Sequence, residues 1–213
     1  METPRKVLIQ MSGAPGSGKS TLANLLARHG SINGVVVNHD LIKSFFLDNG
    51  NSFQKSAELT YSLQWVLTGD LLRQGQNVIV DSTCNHRGTL DQGTALAQQH
   101  DYDYTYVECK MSASDINLLE ERLRDRVALR SQRTSVHAQP TDMDGAHRSS
   151  SGDALALYKT WIESPVRPTS NIIIVDSTSS PEDCMNDTLK QMGLLAEPSS
   201  SSTSTKIPST RST

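Results

Sequence analysis

The sequence predicts an α/β protein of three layers, a parallel sheet with helices on both faces. Three observations predict it. Short apolar runs alternate along the chain with longer segments of helical pattern. The runs mostly lack the polar alternation of half-exposed strands, which is how strands covered on both faces read. The 213 residues suit one domain with a real core and leave little room for two. Repeated strand–helix units then imply right-handed crossovers.

The runs at 7–11, 35–38, 78–81, 104–110 and 172–176 are rich in Val, Ile and Tyr and are read as five strands. After the first, Leu22, Leu25 and Leu26 share a helical face. Leu59, Leu63, Val66 and Leu67 mark a longer helix, which Gly75 ends. Ile116, Leu119, Leu123 and Val127 form another stripe. Ser180 reads as the N-cap of a last helix that Pro181 opens. Residues 133–152 are polar and without period, and so long a loop is usually a lid or disordered. Residues 196–213 are nearly all Ser, Thr and Pro, with Ala196 and Ile207 as the only apolar side chains. Such a segment does not bury enough surface to offset its ordering entropy and is expected to be a disordered tail. The folded unit is therefore expected over 1–195, with a lid at about 114–152.

Composition excludes several classes. The net charge of −3, from 20 Lys+Arg and 23 Asp+Glu, excludes a strongly basic nucleic-acid coat. The tail holds Lys206 and Arg211 against Glu197, so the remainder is one charge more acidic than the whole. No run approaches the roughly 18 apolar residues that cross a bilayer, so no membrane partner is expected. The apolar stretch near the N-terminus is too short for the core of a signal peptide. Cys84, Cys109 and Cys184 are widely spaced, which argues against a disulfide framework or a zinc site. A soluble, reduced, cytoplasmic protein is expected. The sequence is silent on its oligomeric state.

Directly after the first run comes Gly13-Ala14-Pro15-Gly16-Ser17-Gly18-Lys19-Ser20-Thr21. It matches G-x-x-x-x-G-K-[ST] in the required place, after a strand and before a helix. The three glycines can take the angles of a tight anion-binding loop. The loop amides and the N-terminus of the next helix face phosphates. Lys19 reaches the β- and γ-phosphates, and Ser20 places its hydroxyl on Mg²⁺. ATP and Mg²⁺ are the implied cofactors.

The run Asn77-Val78-Ile79-Val80-Asp81 ends in an acid that can hold the water shell of Mg²⁺. The alternative is a turn residue at a strand end. Asp40 follows the second run and points toward the same crevice, outside the carboxyl ends of the strands. It can accept the proton of an attacking hydroxyl, or it can serve only as an N-cap. Lys43, one turn further, can hold an acceptor or a phosphate, or stand as an ordinary surface lysine. Arg122, Arg126 and Arg130 recur every four residues and would stack on one helix face. Arg126 and Arg130 have no acid three or four positions away. Such arginines can clamp a transferring phosphoryl group, Arg126 first among them, or pair with acids elsewhere in the fold.

Together the segments MSGAPGSGKST, NHDLIKSFF, VIVDSTCN and LRSQR resemble P-loop kinases of the AAA-like zeta-toxin and polynucleotide 5′-kinase group. Their overall cast is closest to fungal P-loop proteins described only as ATP-binding. The resemblance covers roughly residues 5 to 192. It implies a five-stranded parallel sheet in the order 2-3-1-4-5, Asp40 as the acceptor-binding general base, and the Arg-rich segment as the lid. One position departs: the group commonly has Arg one turn after that Asp, and here it is Lys43. Lys meets phosphate as a point charge rather than a fork. The expected activity is ATP-dependent transfer of the γ-phosphoryl group to a hydroxyl of a small-molecule or nucleoside/nucleotide-like acceptor. The alternatives are a polynucleotide 5′-hydroxyl kinase and an ATPase or nucleotide switch with no organic acceptor.

Overall fold

A computed structural model of the chain describes residues 5–140 and 151–195. The expected tail and the stretch 141–150 of the expected loop lie outside the described residues. Five strands form: β1 (Val7–Ser12), β2 (Gly34–Asn38), β3 (Asn77–Asp81), β4 (Asp103–Lys110) and β5 (Ile172–Asp176). All pair in parallel, in the order β2-β3-β1-β4-β5, as the resemblance implies. The helices are α1 (Lys19–Arg28), α2 (His39–Asp48), α3 (Phe53–Arg73), α4 (Arg87–His100), α5 (Ile116–Asp125), α6 (Ser151–Glu163) and α7 (Pro181–Gln191).

β1 is the central strand, and all six of its residues are buried. Successive side chains of a strand point to opposite faces. Ile9 and Met11 therefore join Leu22, Leu26 and Leu189 on the face covered by α1 and α7. Leu8 joins Leu72, Val78, Val80, Leu90 and Tyr106 on the face covered by α3 and α4. Each fully buried Leu or Ile contributes about 1.5–3 kcal/mol. Gln10 is buried on the second face, where it accepts from the Tyr104 hydroxyl at 2.7 Å and donates to Thr89 O at 3.2 Å. A third cluster, Ala14, Met111, Leu119, Leu123, Val136 and Tyr158, sits beside the glycine-rich loop.

The local signals behave as the sequence indicates. Gly75 takes φ 80° after α3, and its N–H returns to Leu72 O at 3.0 Å. The Ser180 hydroxyl accepts from the Asp183 N–H at 3.1 Å, and Pro181 opens α7.

Two readings are corrected. The inner face of α3 is polar: Ser56, Thr60, Gln64 and Thr68 are fully buried, whereas Val66 and Leu67 are exposed. Thr60 and Thr68 satisfy their hydroxyls on the preceding turn, at Ser56 O and Gln64 O, whereas Ser56 Oγ and Gln64 Nε2 are buried without a partner. The second correction concerns α5. It ends at Asp125, and Arg126 is extended at φ −78°, ψ 150°. Arg122, Arg126 and Arg130 therefore do not share a helix face, and Val127 stands wholly in solvent.

Candidate active site

The carboxyl ends of β1, β2 and β3 converge. Asn38 at the end of β2 is the register partner of Asp81 at the end of β3. The loop after β1 carries Gly13, Gly16 and Gly18 at φ 132°, 84° and 90°. At Gly13 a Cβ would stand 2.6 Å from Cys109 O, so both the angle and the space require glycine. Ser17 N–H bonds Ala14 O at 3.1 Å and closes the turn. Ser177 and Tyr158 donate from their hydroxyls to Ser17 O and Pro15 O, tying the loop to β5 and α6. No side chain caps α1, whose N-cap is Gly18. Its first N–H groups are thus left for an anion.

Lys19 is 9% exposed, and its ammonium donates to Ala14 O at 3.0 Å. Burial pushes its pKa down, and the Asp81 carboxylate opposes that. Burial pushes the Asp81 pKa up, while hydrogen bonding from the Ser20 hydroxyl and the charge of Lys19 hold it down. Ser20 and Asp81 thus place a hydroxyl and a carboxylate near the Lys19 amine, a donor set that could hold a hard cation.

Asp40 is relieved of capping. The N-cap of α2 is Asn38, whose side chain accepts from the Leu41 N–H at 2.9 Å. The Asp40 carboxylate lines a cavity of about 940 Å³ together with Gly16, Gly18, Lys19, Ser20 and Thr21 of the loop. It lies within electrostatic reach of Lys19, Lys43, Asp81 and Arg126. Lys43 lies over the Phe53 ring at 3.5 Å, and burial lowers its pKa to about 8 against the pull of Asp40. His39 lines the same cavity, but its ring is mostly buried, bonds Gln64 Oε1 at 2.8 Å and packs on Tyr61. Burial pushes its pKa down, which keeps the ring neutral.

The arginines go to different places. Arg122 bonds Ser177 O at 3.0 Å and lines the cavity. Arg126 also lines it, donating through one guanidinium nitrogen to Arg133 O at 2.5 Å while its buried Nε has no partner. Arg130 does not line the cavity; it bonds Leu47 O at 2.8 Å and Asp48 at 3.3 Å on α2. Arg133 is buried in the cavity wall, stacked 4.8 Å from the Trp161 ring, with one terminal nitrogen unpartnered. Two guanidinium groups with unmet buried donors line the same cavity as the phosphate loop, an arrangement able to take a multiply charged anion.

Sequence reasoning rated Arg130 and Arg133 alike, although only Arg133 lines the cavity. It also missed Ser131 and Gln132. The Gln132 amide donates to Asp40 Oδ2 at 2.8 Å, and the Ser131 hydroxyl donates to Asp40 O at 2.9 Å. Only the contiguity of LRSQR marked them. Gly13, Ala14, Ser17 and Asp81 shape the site from beneath without lining the cavity.

Fold and loop define a P-loop NTPase with the sheet order 2-3-1-4-5. The chain belongs to the AAA domain family AAA_33, whose model matches residues 8–143. No curated protein matches the sequence. Several solved structures share the fold. A candidate kinase from Chloroflexus aurantiacus has TM-score 0.64 at 18% identity, over 91% of this chain and 98% of its own. The APS kinase of Mycobacterium tuberculosis, bound to AMPPNP and APS, has TM-score 0.59 at 17% identity, over 90% and 99%. A gluconokinase from Sinorhizobium meliloti has TM-score 0.55 at 15% identity, over 89% and 92%. Among the described residues no helix is long and apolar enough to cross a membrane, and no three His, Cys, Asp or Glu residues cluster as a metal site. The three cysteines are free and buried.

Proposed function

We propose that the protein is an ATP-dependent kinase that moves the γ-phosphoryl group to a hydroxyl of a small-molecule or nucleoside/nucleotide-like acceptor. The observation that carries this reading is Asp40, a carboxylate relieved of capping and set in the same cavity as the phosphate loop. A nucleotide switch has no need of a base placed there. Lys19 and the loop amides neutralise the β- and γ-phosphates. Ser20 and Asp81 would hold Mg²⁺ when it is bound, and the ion would supply positive charge against the phosphates. Asp40 takes the proton of the acceptor hydroxyl as its oxygen bonds the γ-phosphorus. The bond from that phosphorus to the β-bridging oxygen breaks, and ADP leaves. Arg126 and Arg133 balance the charge on the transferring group, closing over it as a lid. Arg122 sits where it can border the nucleotide. Lys43 faces an anionic or polar part of the acceptor. The fold shared with APS kinase and gluconokinase supports a small acceptor.

The test is transfer of label from γ-labelled ATP to D-gluconate, nucleosides, nucleotides, sugars and 5′-hydroxyl oligonucleotides. Label on one small acceptor class supports the proposal. Label only on oligonucleotide ends favours a polynucleotide kinase. Release of labelled phosphate with no acceptor labelled favours the ATPase alternative.

A further inference from the structure

We propose that Gln132 is a positioning residue that aims the Asp40 carboxylate, leaving Oδ1 as the oxygen that takes the acceptor's proton. The inference rests on the reading of Asp40 as the base. The Gln132 side-chain nitrogen donates to Asp40 Oδ2 at 2.8 Å. Its carbonyl accepts from the Leu129 N–H at 3.1 Å. The two partners fix the orientation of the amide, because a carboxylate only accepts and a backbone N–H only donates. The Gln132 N–H bonds Leu129 O at 2.9 Å, so the residue closes its own turn.

The neighbouring hydroxyls assign the other oxygen. Ser131 has one proton. Its hydroxyl lies 2.9 Å from Asp40 O and 3.5 Å from Asp40 Oδ1, so the carbonyl takes it. Ser131 in turn accepts from the Ser44 hydroxyl at 3.0 Å, and its N–H donates back to Ser44 Oγ at 3.0 Å. Oδ2 is committed to Gln132, and Oδ1 is free to accept from the acceptor. Three consecutive residues thus divide the work. Ser131 fastens the segment to α2, Gln132 turns the carboxylate, and Arg133 enters the cavity wall. The base is aimed when the arginine is in place.

A carboxylate free to rotate spends less time in line with the reacting hydroxyl. A misplacement of about 1 Å can cost about 100-fold in rate. Two variants separate the effects. Gln132→Met removes the donor and the carbonyl. Gln132→Glu keeps an acceptor for Leu129 and sets an oxygen against Asp40.

Two measurements test the inference on the full chain. The first is the ¹⁵N side-chain amide spectrum, with the Gln132 pair identified by its loss in Gln132→Met. That pair is expected to shift in Asp40→Asn, and a pair that stays in place overturns the contact whatever the activity. The second is label transfer from γ-labelled ATP, with D-gluconate, adenosine 5′-phosphosulfate and water as probe acceptors. Both Gln132 variants are expected to lower kcat about 10- to 100-fold, with KM for ATP within about twofold. In the Asp40→Asn background Gln132→Met should cost nothing further, since the two act as a unit. Full multiplication of the two losses overturns the positioning role, as does a Gln132→Met protein of normal kcat beside an inactive Asp40→Asn. Undiminished transfer by Asp40→Asn instead removes Asp40 as the base, and the role of Gln132 with it.

Discussion

Asn38 at the end of β2 and Asp81 at the end of β3 are register partners, which brings the α2 cap and a buried acid to the same edge of the sheet. The phosphate loop leaves β1, the strand next to β3, at that same edge. Asp81 is part of the loop's electrostatics, for burial of Lys19 is offset first by Asp81. Asp81→Asn should therefore weaken Mg²⁺-dependent nucleotide binding more than Mg²⁺-free binding. Titration of a fluorescent ATP analogue with and without Mg²⁺ checks this. Equal losses in the two conditions contradict the assignment.

Lys19→Ala removes the ammonium that faces the β- and γ-phosphates. Turnover should fall to background while the thermal midpoint stays near that of the parent. A protein that retains measurable turnover contradicts the loop's assigned role.

Arg126→Ala should lower transfer by about 1,000-fold, the low end for an arginine that balances transition-state charge. Arg130→Ala should cost far less, since Arg130 is tied to Leu47 O and Asp48 away from the cavity. Parallel kinetics of the two variants decide it. Equal losses contradict the separation of the two side chains.

Lys43 gives a pH dependence. Its pKa falls from 10.5 to about 8 on burial. Between those values the unfolded chain holds a proton that the folded chain lacks, so stability rises with pH through that window. Below about pH 8 both states are protonated and Lys43 adds no slope. Urea unfolding at pH 8, 9 and 10 should give a more positive slope of stability against pH in the parent than in Lys43→Met. Parallel slopes in the two proteins contradict the assignment.

How much of this was legible in the sequence depends on where the information lies. The phosphate loop reads directly because its chemistry is local: a strand, three glycines, then Lys19 and Ser20. The strands read because each is a continuous apolar run. Asp81 reads for the same reason, as the acid at the end of one. The face of α3 did not read, because Gln64 is buried by pairing with His39, which lies 25 residues away in sequence. The end of α5 did not read either. No Gly or Pro breaks the pattern at Arg126, and the helix stops where that side chain turns to Arg133 O. Gln132 carried no local signal, since its partner is Asp40, 92 residues earlier. Asp40 itself was divided between cap and base until Asn38 took the cap.

Glu108 tests the frame that holds these ends together. Its carboxylate is 3% exposed and receives two bonds from Arg167, at 2.6 and 2.8 Å. Arg167→Ala leaves that buried acceptor unpaired, which should cost about 1–3 kcal/mol. Denaturant unfolding measures it. A change under about 0.5 kcal/mol, the range of an ordinary surface substitution, contradicts the contact.

The central claim is that Asp40 serves an organic hydroxyl rather than nucleotide hydrolysis. The most direct measurement compares parent and Asp40→Asn proteins with γ-labelled ATP and the acceptor that the parent labels. Labelled acceptor should disappear in Asp40→Asn while ATP affinity is retained. Undiminished labelling by Asp40→Asn, or a parent that labels only water, would contradict it.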